Sequence, residues 1–243
     1  MPRLRNPPLE EVAPYVAHRL PVVIEGALDG WSAISRWTFD HLRRAGRGRR
    51  VEVQSRRSDH PTDFAYRDVD FDAFVESIED GTGRDYLAAY PLIENLPMLA
   101  GDVSVPRYAS PPTVPPRLFI GPRGSLTPLH YDLGHSLVAQ VLGRKRIILL
   151  EFRRRDILRD RELWRPGWLS FAVDAEGVDA GGGIRASRRW ECIAAPGDLV
   201  FLPSRRHHFV RSLDDGVSVS FFWHTAAMRV ARRIISAAWW PIV

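Results

Sequence analysis

The sequence predicts a mainly β protein, a sandwich or barrel with flanking helices, on two observations. Six short apolar runs follow position 117, and residues typical of turns separate them. Many short strands with such punctuation are typical of β-sandwiches and barrels. The chain also has 243 residues, 45% hydrophobic and 26% charged, which is the composition of a globular protein with a sizeable core. We therefore expect a single domain over residues 1–243.

Residues 1–116 are predicted to form a helical and β flank before the barrel. Thr38 is a candidate N-cap of a helix, and Gly81 marks the end of another. A proline-rich loop, 110–116, closes the flank, and we interpret it as a connection inside one domain because neither side alone looks complete. The predicted helices are 9–19, 37–44 and 71–79, and the predicted strands are 22–24, 51–55 and 86–90.

Residues 117–223 are predicted to form the core of the barrel, interrupted by an insertion at 153–190 that is rich in arginine, glycine and tryptophan. A basic amphipathic helix is expected in the C-terminal segment 224–243, and its apolar face must be covered by its own barrel or by a second copy in a homodimer. The predicted barrel strands are 117–121, 136–141, 146–152, 198–202, 209–213 and 217–223.

Composition excludes several classes of protein. The single cysteine, Cys192, excludes a disulfide framework and a multi-cysteine zinc site. No run reaches the roughly 20 apolar residues of a membrane helix, and the N-terminus has no apolar segment typical of a secretory signal. We therefore expect a cytoplasmic protein that does not bind membranes. The net charge of +5 comes from scattered arginines without a stripe of aromatic residues, which does not favour nucleic acid as a partner.

Two segments contain candidate metal ligands. His130 and Asp132 are two residues apart, so on an extended strand both face one side and can reach one ion, although this pair taken alone favours a hydrogen-bonded surface pair. His207 or His208 would complete a metal-ligand set of two histidines and one carboxylate. Such a set leaves three adjacent positions on iron(II) for a bidentate cosubstrate and O₂. Neighbouring strand residues face opposite sides, so only one of these two histidines binds, and the other has a structural or substrate role. A surface pair beside a turn is the alternative.

Lys145 is a candidate for binding a carboxylate. It is the only lysine among 34 lysine and arginine residues. A keto acid that chelates iron through one end needs a cation for its far carboxylate, and a compact ammonium suits a narrow barrel interior. The alternative is a solvated lysine in the basic turn 143–146.

Several segments together resemble a known family. The motif Thr-Pro-Leu-His-Tyr-Asp ends segment 118–132, Gly-Arg-Lys-Arg lies in segment 138–150, and Pro-Gly-Asp begins segment 196–203, which precedes the two histidines. In this order and spacing they resemble the Jumonji C, cupin-like oxygenases, and most closely the small hydroxylase branch that includes the asparaginyl hydroxylase of the hypoxia-inducible factor. Segment 21–31 is similar to the entry motif of that branch, so the resemblance covers most of the chain.

The resemblance implies a double-stranded β-helix, the cupin or jelly-roll barrel, with iron(II) and 2-oxoglutarate as cofactors. The third metal ligand of the family follows five residues after the proline at 203, which selects His208 over His207. The family's metal ligands thus correspond to His130, Asp132 and His208. Its contacts to the C5 carboxylate of 2-oxoglutarate correspond to Tyr86, Thr127 and Lys145.

The chain departs from the family immediately before the third ligand. Arg205, Arg206 and His207 stand where family members commonly have aromatic residues. Guanidinium groups form bidentate hydrogen bonds with carboxylates, so the two arginines predict a basic mouth that favours an acidic substrate. Solvated loop arginines are the alternative.

The resemblance implies a dioxygenase that uses O₂ to hydroxylate a C–H bond of a protein, a peptide or a peptide-like small molecule. The chain is close to a bare catalytic unit without reader domains, which favours hydroxylation over histone demethylation. A second interpretation, from another class, is a non-catalytic cupin-like module that binds a ligand or a protein. The complete set of metal ligands argues against that second interpretation.

Overall fold

The computed structural model describes residues 1–58, 63–153, 175 and 186–224, and these residues form two β-sheets with short flanking helices. The predicted mainly β class is confirmed. Most of the predicted insertion and the expected helix after residue 224 lie outside the described residues. A strand begins at Arg188, inside the last three residues of the predicted insertion, because residues 188–194 pair with a barrel strand.

All helices in the described part of the chain lie before the barrel. Thr38 caps one of them, since its side chain accepts a hydrogen bond from the His41 backbone N–H at 3.1 Å, as predicted. No helix among the described residues is long and apolar enough to cross a membrane. The helices are α1 (Leu9–Ala17), α2 (Ala33–Arg36), α3 (Phe39–Ala45), α4 (Phe71–Glu79), α5 (Leu92–Asn95) and α6 (Pro97–Ala100).

The strands form a large and a small sheet. The large sheet contains, in spatial order, β1 (Arg3–Arg5), β2 (Val22–Glu25), β11 (Leu199–Leu202), β8 (His135–Leu142), β13 (Gly216–Trp223), β6 (Arg117–Gly121), β5 (Asp85–Pro91), β3 (Arg50–Arg56) and β4 (Phe64–Asp70). The small sheet contains β10 (Arg188–Ala194), β9 (Lys145–Glu151), β12 (His207–Ser212) and β7 (Leu126–His130).

The two sheets pack face to face through an apolar cluster to which both contribute. Val23, Val138 and Val200 of the large sheet meet Ile147 and Leu149 of the small one. A second and larger cluster covers the other face of the large sheet and joins strands of the barrel to the N-terminal flank, with members on both sides of the loop 110–116. That loop therefore connects two parts of one hydrophobic core.

Strand β9 shows how the small sheet divides its side chains between two faces. Ile147 and Leu149 point between the sheets, whereas Ile148 and Leu150 belong to a cluster on the outer face. Lys145 lies two and four residues before Ile147 and Leu149, and residues two apart on a strand face the same side. Its side chain therefore lies in the barrel interior. Gly143 allows the turn before β9, because its φ is +68° and a Cβ there would lie 2.2 Å from the Asp215 carbonyl oxygen.

Candidate active site

His130, Asp132 and His208 converge at one end of the small sheet. The Nε2 atom of His130 lies 3.8 Å from one carboxylate oxygen of Asp132, and Nε2 of His208 lies 3.7 Å from the other. One ligand atom from each of the three residues lies within 4.8 Å of the other two, which makes them a group that could hold a metal ion. Two ligand atoms bound at about 2.1 Å to one ion lie roughly 3–4 Å apart, so small adjustments would suffice to close the site.

A β-bulge in strand β7 aligns this site. His208 in β12 pairs with His130, but Val210 pairs with Thr127, so three steps along β7 correspond to two along β12. Residues three apart on a regular strand face opposite sides, and the additional residue removes that difference. Thr127 and His130 are therefore able to face the same interior.

Both histidines are held with one ring nitrogen directed to the cluster. Nδ1 of His130 lies 2.8 Å from the Pro128 carbonyl oxygen, and Nδ1 of His208 lies 3.0 Å from that of Arg206. A proton on each Nδ1 leaves the lone pair on Nε2, which is the usual arrangement of a histidine that binds a metal. Burial lowers the pKa of His208 to about 4, helped by the neighbouring His130, so its ring is neutral at pH 7.

Two hydrogen bonds tie the segment after His130 to the turn before His208. The Arg205 backbone N–H donates to the Asp132 carbonyl at 2.7 Å, and the Ser204 N–H donates to Nδ1 of His135 at 3.1 Å. The His135 ring packs against both Phe201 and Trp223, with centroids 5.4 and 5.5 Å away. Burial lowers the pKa of His135 to about 4, which keeps the ring neutral and Nδ1 able to accept. These contacts fix the relative positions of the two segments that carry His130, Asp132 and His208.

His207 faces away from the cluster, as the alternation along β12 predicts. It is 4% exposed and lies edge-on against Tyr131 and Phe152, with ring centroids 5.0 Å away in both cases. Burial lowers its pKa to about 3. Its surroundings are those of a neutral ring packed in the outer apolar cluster.

Lys145 lies in the barrel interior and spans the two sheets. Its side chain is buried, its Nζ donates to Ser218 Oγ at 2.7 Å, and the rings of Tyr86 and Phe119 lie 5.7 and 5.5 Å away. It forms no ion pair with any residue in the described part of the chain. Burial lowers the pKa of Lys145 to about 7, because no carboxylate there compensates the charge. The solvated lysine that the basic turn allowed is thereby excluded.

Tyr86 and Thr127 meet beside Lys145. The Tyr86 hydroxyl and Thr127 Oγ1 are 3.4 Å apart, and burial raises the pKa of Tyr86 to about 12, so its hydroxyl keeps its proton. The three residues that the family resemblance grouped therefore lie together, although they come from β5 of the large sheet and from β7 and β9 of the small one. Two hydroxyls and one ammonium are suitable partners for a carboxylate.

The two arginines before His207 have different surroundings. Arg205 is exposed and has a φ of +58°, which directs its backbone N–H to Asp132. Arg206 is already engaged by the Glu151 carboxylate at 2.8 Å and by the face of the Trp190 ring at 5.1 Å. Of the two, only Arg205 presents an exposed side chain near the cluster of His130, Asp132 and His208.

Sequence inspection missed Ser218 and His135, which contact these groups. Ser218 and Ser220 alternate in β13 with Val217, Val219 and Phe221, whose side chains belong to the cluster on the other face of the large sheet. Small polar residues at alternate positions of an apolar strand indicate an interior that must hold a polar group. No pattern in the sequence indicated His135, because its partners lie about 70 residues away.

Comparison with known proteins identifies the family to which the chain belongs. Residues 8–228 match the family model of a cupin-like domain. The chain therefore belongs to the cupin-like family, and the Jumonji C resemblance of its motifs is confirmed by the relatives that it matches.

Those relatives include enzymes with two kinds of name. The chain is 31% identical to lysine-specific demethylase 8 of Xenopus tropicalis, over 92% of this chain and 52% of that protein. It is 32% identical to the Danio rerio protein of the same name, over 92% and 58%. It is 27% identical to tRNA wybutosine-synthesizing protein 5 of Mus musculus, over 92% and 77%. The chain spans about half the length of the demethylases that it matches.

Proposed function

We propose that this protein is an iron(II)- and 2-oxoglutarate-dependent dioxygenase that hydroxylates a C–H bond of a protein, a peptide or a peptide-like small molecule. The observation that carries the proposal is a pair of sites in one barrel. One is a cluster of two imidazoles and one carboxylate. The other is a buried ammonium without a carboxylate partner among the described residues, beside two hydroxyl groups.

The residues present fit both cofactors. His130, Asp132 and His208 would hold iron(II) through two neutral nitrogens and one carboxylate, which leaves adjacent positions for other ligands. Lys145 would neutralise the far carboxylate of 2-oxoglutarate, because its burial leaves the charge uncompensated. When bound, the two cofactors supply the oxidising chemistry, in which O₂ converts 2-oxoglutarate to succinate and CO₂ and hydroxylates the substrate.

The chain itself orients and shields the reacting groups. Ser218 fixes the position of the Lys145 ammonium, while Tyr86 and Thr127 offer hydroxyl groups to the same carboxylate. Asp132 is the most exposed of the three metal ligands, with 30% of its side chain accessible, against 17% for His130 and 5% for His208. Substrate would therefore approach from the Asp132 side, where Arg205 is exposed and suits an acidic group.

The names of the relatives suggest which substrates to test. Lysine-specific demethylase 8 is named for an action on lysine, and tRNA wybutosine-synthesizing protein 5 for a modification of tRNA. The first two sets of candidate substrates are therefore a library of acidic and neutral peptides and a preparation of tRNA. A mass increase of about 16 Da marks insertion of one oxygen atom.

The test of the activity does not depend on the substrate. Purified protein with iron(II), O₂ and 2-oxoglutarate should form succinate slowly without substrate, and Asp132→Ala should abolish this turnover. An absence of turnover in a protein that contains iron and is folded would contradict the proposal and favour the non-catalytic cupin-like module.

A further inference from the structure

A basic cleft lies outside the cluster of metal ligands. Its volume is about 500 Å³, and it opens between the end of strand β3, the segment before β5 and the turn that joins β6 to β7. Four arginines line it, namely Arg56, Arg57, Arg84 and Arg123. No aspartate or glutamate is among its described lining residues. The cleft therefore concentrates positive charge in a cavity of the size that small molecules occupy.

Arg57 and Arg84 line this cleft without an acidic partner among the described residues. Arg57, Arg84 and Arg123 are exposed and form no salt bridge with any residue that the structure describes. By contrast, Arg50 and Arg67 on the same β3–β4 hairpin each pair with an aspartate. Arg57 and Arg84 are therefore available to another partner.

Neutral hydrogen-bonding groups accompany the arginines. Gln54 and Ser58 line the cleft, and so does Ser125. Ser125 is 6% exposed, and its hydroxyl has no hydrogen-bond partner among the described residues. Buried hydroxyl groups usually have such a partner, so this one indicates a ligand or a water molecule at the base of the cleft.

The cleft adjoins the group of residues around Lys145. Tyr86 contributes to the cleft wall, while its hydroxyl lies 3.4 Å from Thr127 Oγ1 inside the barrel. Leu126, another wall residue, begins the strand that ends at His130. A ligand in the cleft would therefore lie next to the residues proposed to hold 2-oxoglutarate.

We propose that this cleft binds a small molecule that carries two or more phosphate charges. Arginine guanidinium groups present planar, bidentate donors to phosphate oxygens, and several of them in one cavity favour a ligand with more than one negative charge. The ligand binds beside the metal site and not on it, so binding requires neither a metal ion nor 2-oxoglutarate.

Inorganic pyrophosphate is the probe, and calorimetry on the metal-free full chain is the measurement. Wild-type protein should bind it, and the double variant Arg57→Glu, Arg84→Glu should bind at least tenfold more weakly. Arg47→Glu with Arg49→Glu is the matched control, because both side chains are exposed and precede the opposite end of β3. This control changes the net charge equally and should retain the wild-type affinity.

Three results would overturn the proposal. The first is an absence of binding to the wild type at millimolar pyrophosphate. The second is an equal weakening of binding in the cleft variant Arg57→Glu, Arg84→Glu and in its charge-reversed control. The third is a loss of binding in Lys145→Met while the cleft variant retains it. The last result would place the anion on Lys145. A second variant, Arg84→Gln with Arg123→Gln, repeats the test without introducing negative charge, and thermal unfolding of each variant verifies that it is folded.

Discussion

Lys145 shows how one residue in an unusual environment indicates function. A lysine ammonium is expensive to bury, and here its only hydrogen bond within the described chain is to the Ser218 hydroxyl. Burial lowers its pKa to about 7, so without a ligand a large share of the side chain is neutral above that pH. A bound carboxylate would favour the protonated form again.

This predicts proton uptake when 2-oxoglutarate binds. Below pH 6 Lys145 is already protonated and no uptake is expected, whereas at pH 8 binding should take up about one proton per site. Calorimetry of the manganese-loaded protein in two buffers with different ionisation enthalpies measures this number. Equal values near zero at both pH values would mean that Lys145 does not meet the carboxylate.

Substitution of the same residue tests its contribution to affinity. Loss of one partner of a buried charged pair costs roughly 3–5 kcal/mol, and 1.4 kcal/mol corresponds to a factor of ten. Lys145→Met retains the length and the apolar stem, yet it should raise the 2-oxoglutarate concentration for half-maximal uncoupled turnover by at least about a hundredfold. Ser218→Ala, which keeps the charge, should have a smaller effect.

At the scale of elements, a buried aspartate anchors the helices of the N-terminal flank. Asp102 follows α6 and accepts hydrogen bonds from the Ser32 hydroxyl, the Arg36 guanidinium and the Trp37 indole N–H, at 2.6, 2.7 and 2.9 Å. Burial alone would raise its pKa, but the hydrogen bonds from Ser32 and Trp37 and the charge of Arg36 outweigh it and lower the pKa. The carboxylate thus joins α2 to the end of α6.

Asp102→Asn should destabilise the fold by about 2 kcal/mol at pH 7, because three donors lose a charged acceptor. Since the pKa of Asp102 is lower in the folded protein, its contribution is complete above the unfolded value near 4 and disappears as the pH falls through the folded value. Urea unfolding at pH 7 and pH 3 measures the difference between variant and wild type. A difference that does not shrink at pH 3 would contradict the stabilising role of the Asp102 carboxylate.

At the scale of the whole molecule, the alternation of side chains between the two faces of each sheet could be predicted from the sequence. The irregularities of this alternation could not. The alternation along a strand correctly predicted that His207 and His208 face opposite sides. It also places the Lys145 side chain in the barrel interior once the bounds of β9 are known. The pattern did not reveal strand β7, since Pro128 interrupts it, or strand β4, which is largely polar. The bulge that brings Thr127 and His130 to one side depends on pairing with β12 and leaves no local signal.

We expect the C-terminal segment 225–243 to determine how the molecule assembles. The sequence predicts a basic amphipathic helix there, with dimerisation as one way to cover its apolar face. Light scattering should find a dimer for the full chain and a monomer for a chain that ends at Thr225. An unchanged mass after truncation would contradict this prediction.

Titration with manganese(II) under anaerobic conditions tests whether His130, Asp132 and His208 together hold one metal ion. Paramagnetic resonance of free manganese should give one bound ion per chain for the wild type and for His207→Gln, whose ring packs on the opposite face. His208→Ala should lose this binding while it keeps the wild-type unfolding transition. Binding that survives in His208→Ala and is lost in His207→Gln would contradict the assignment.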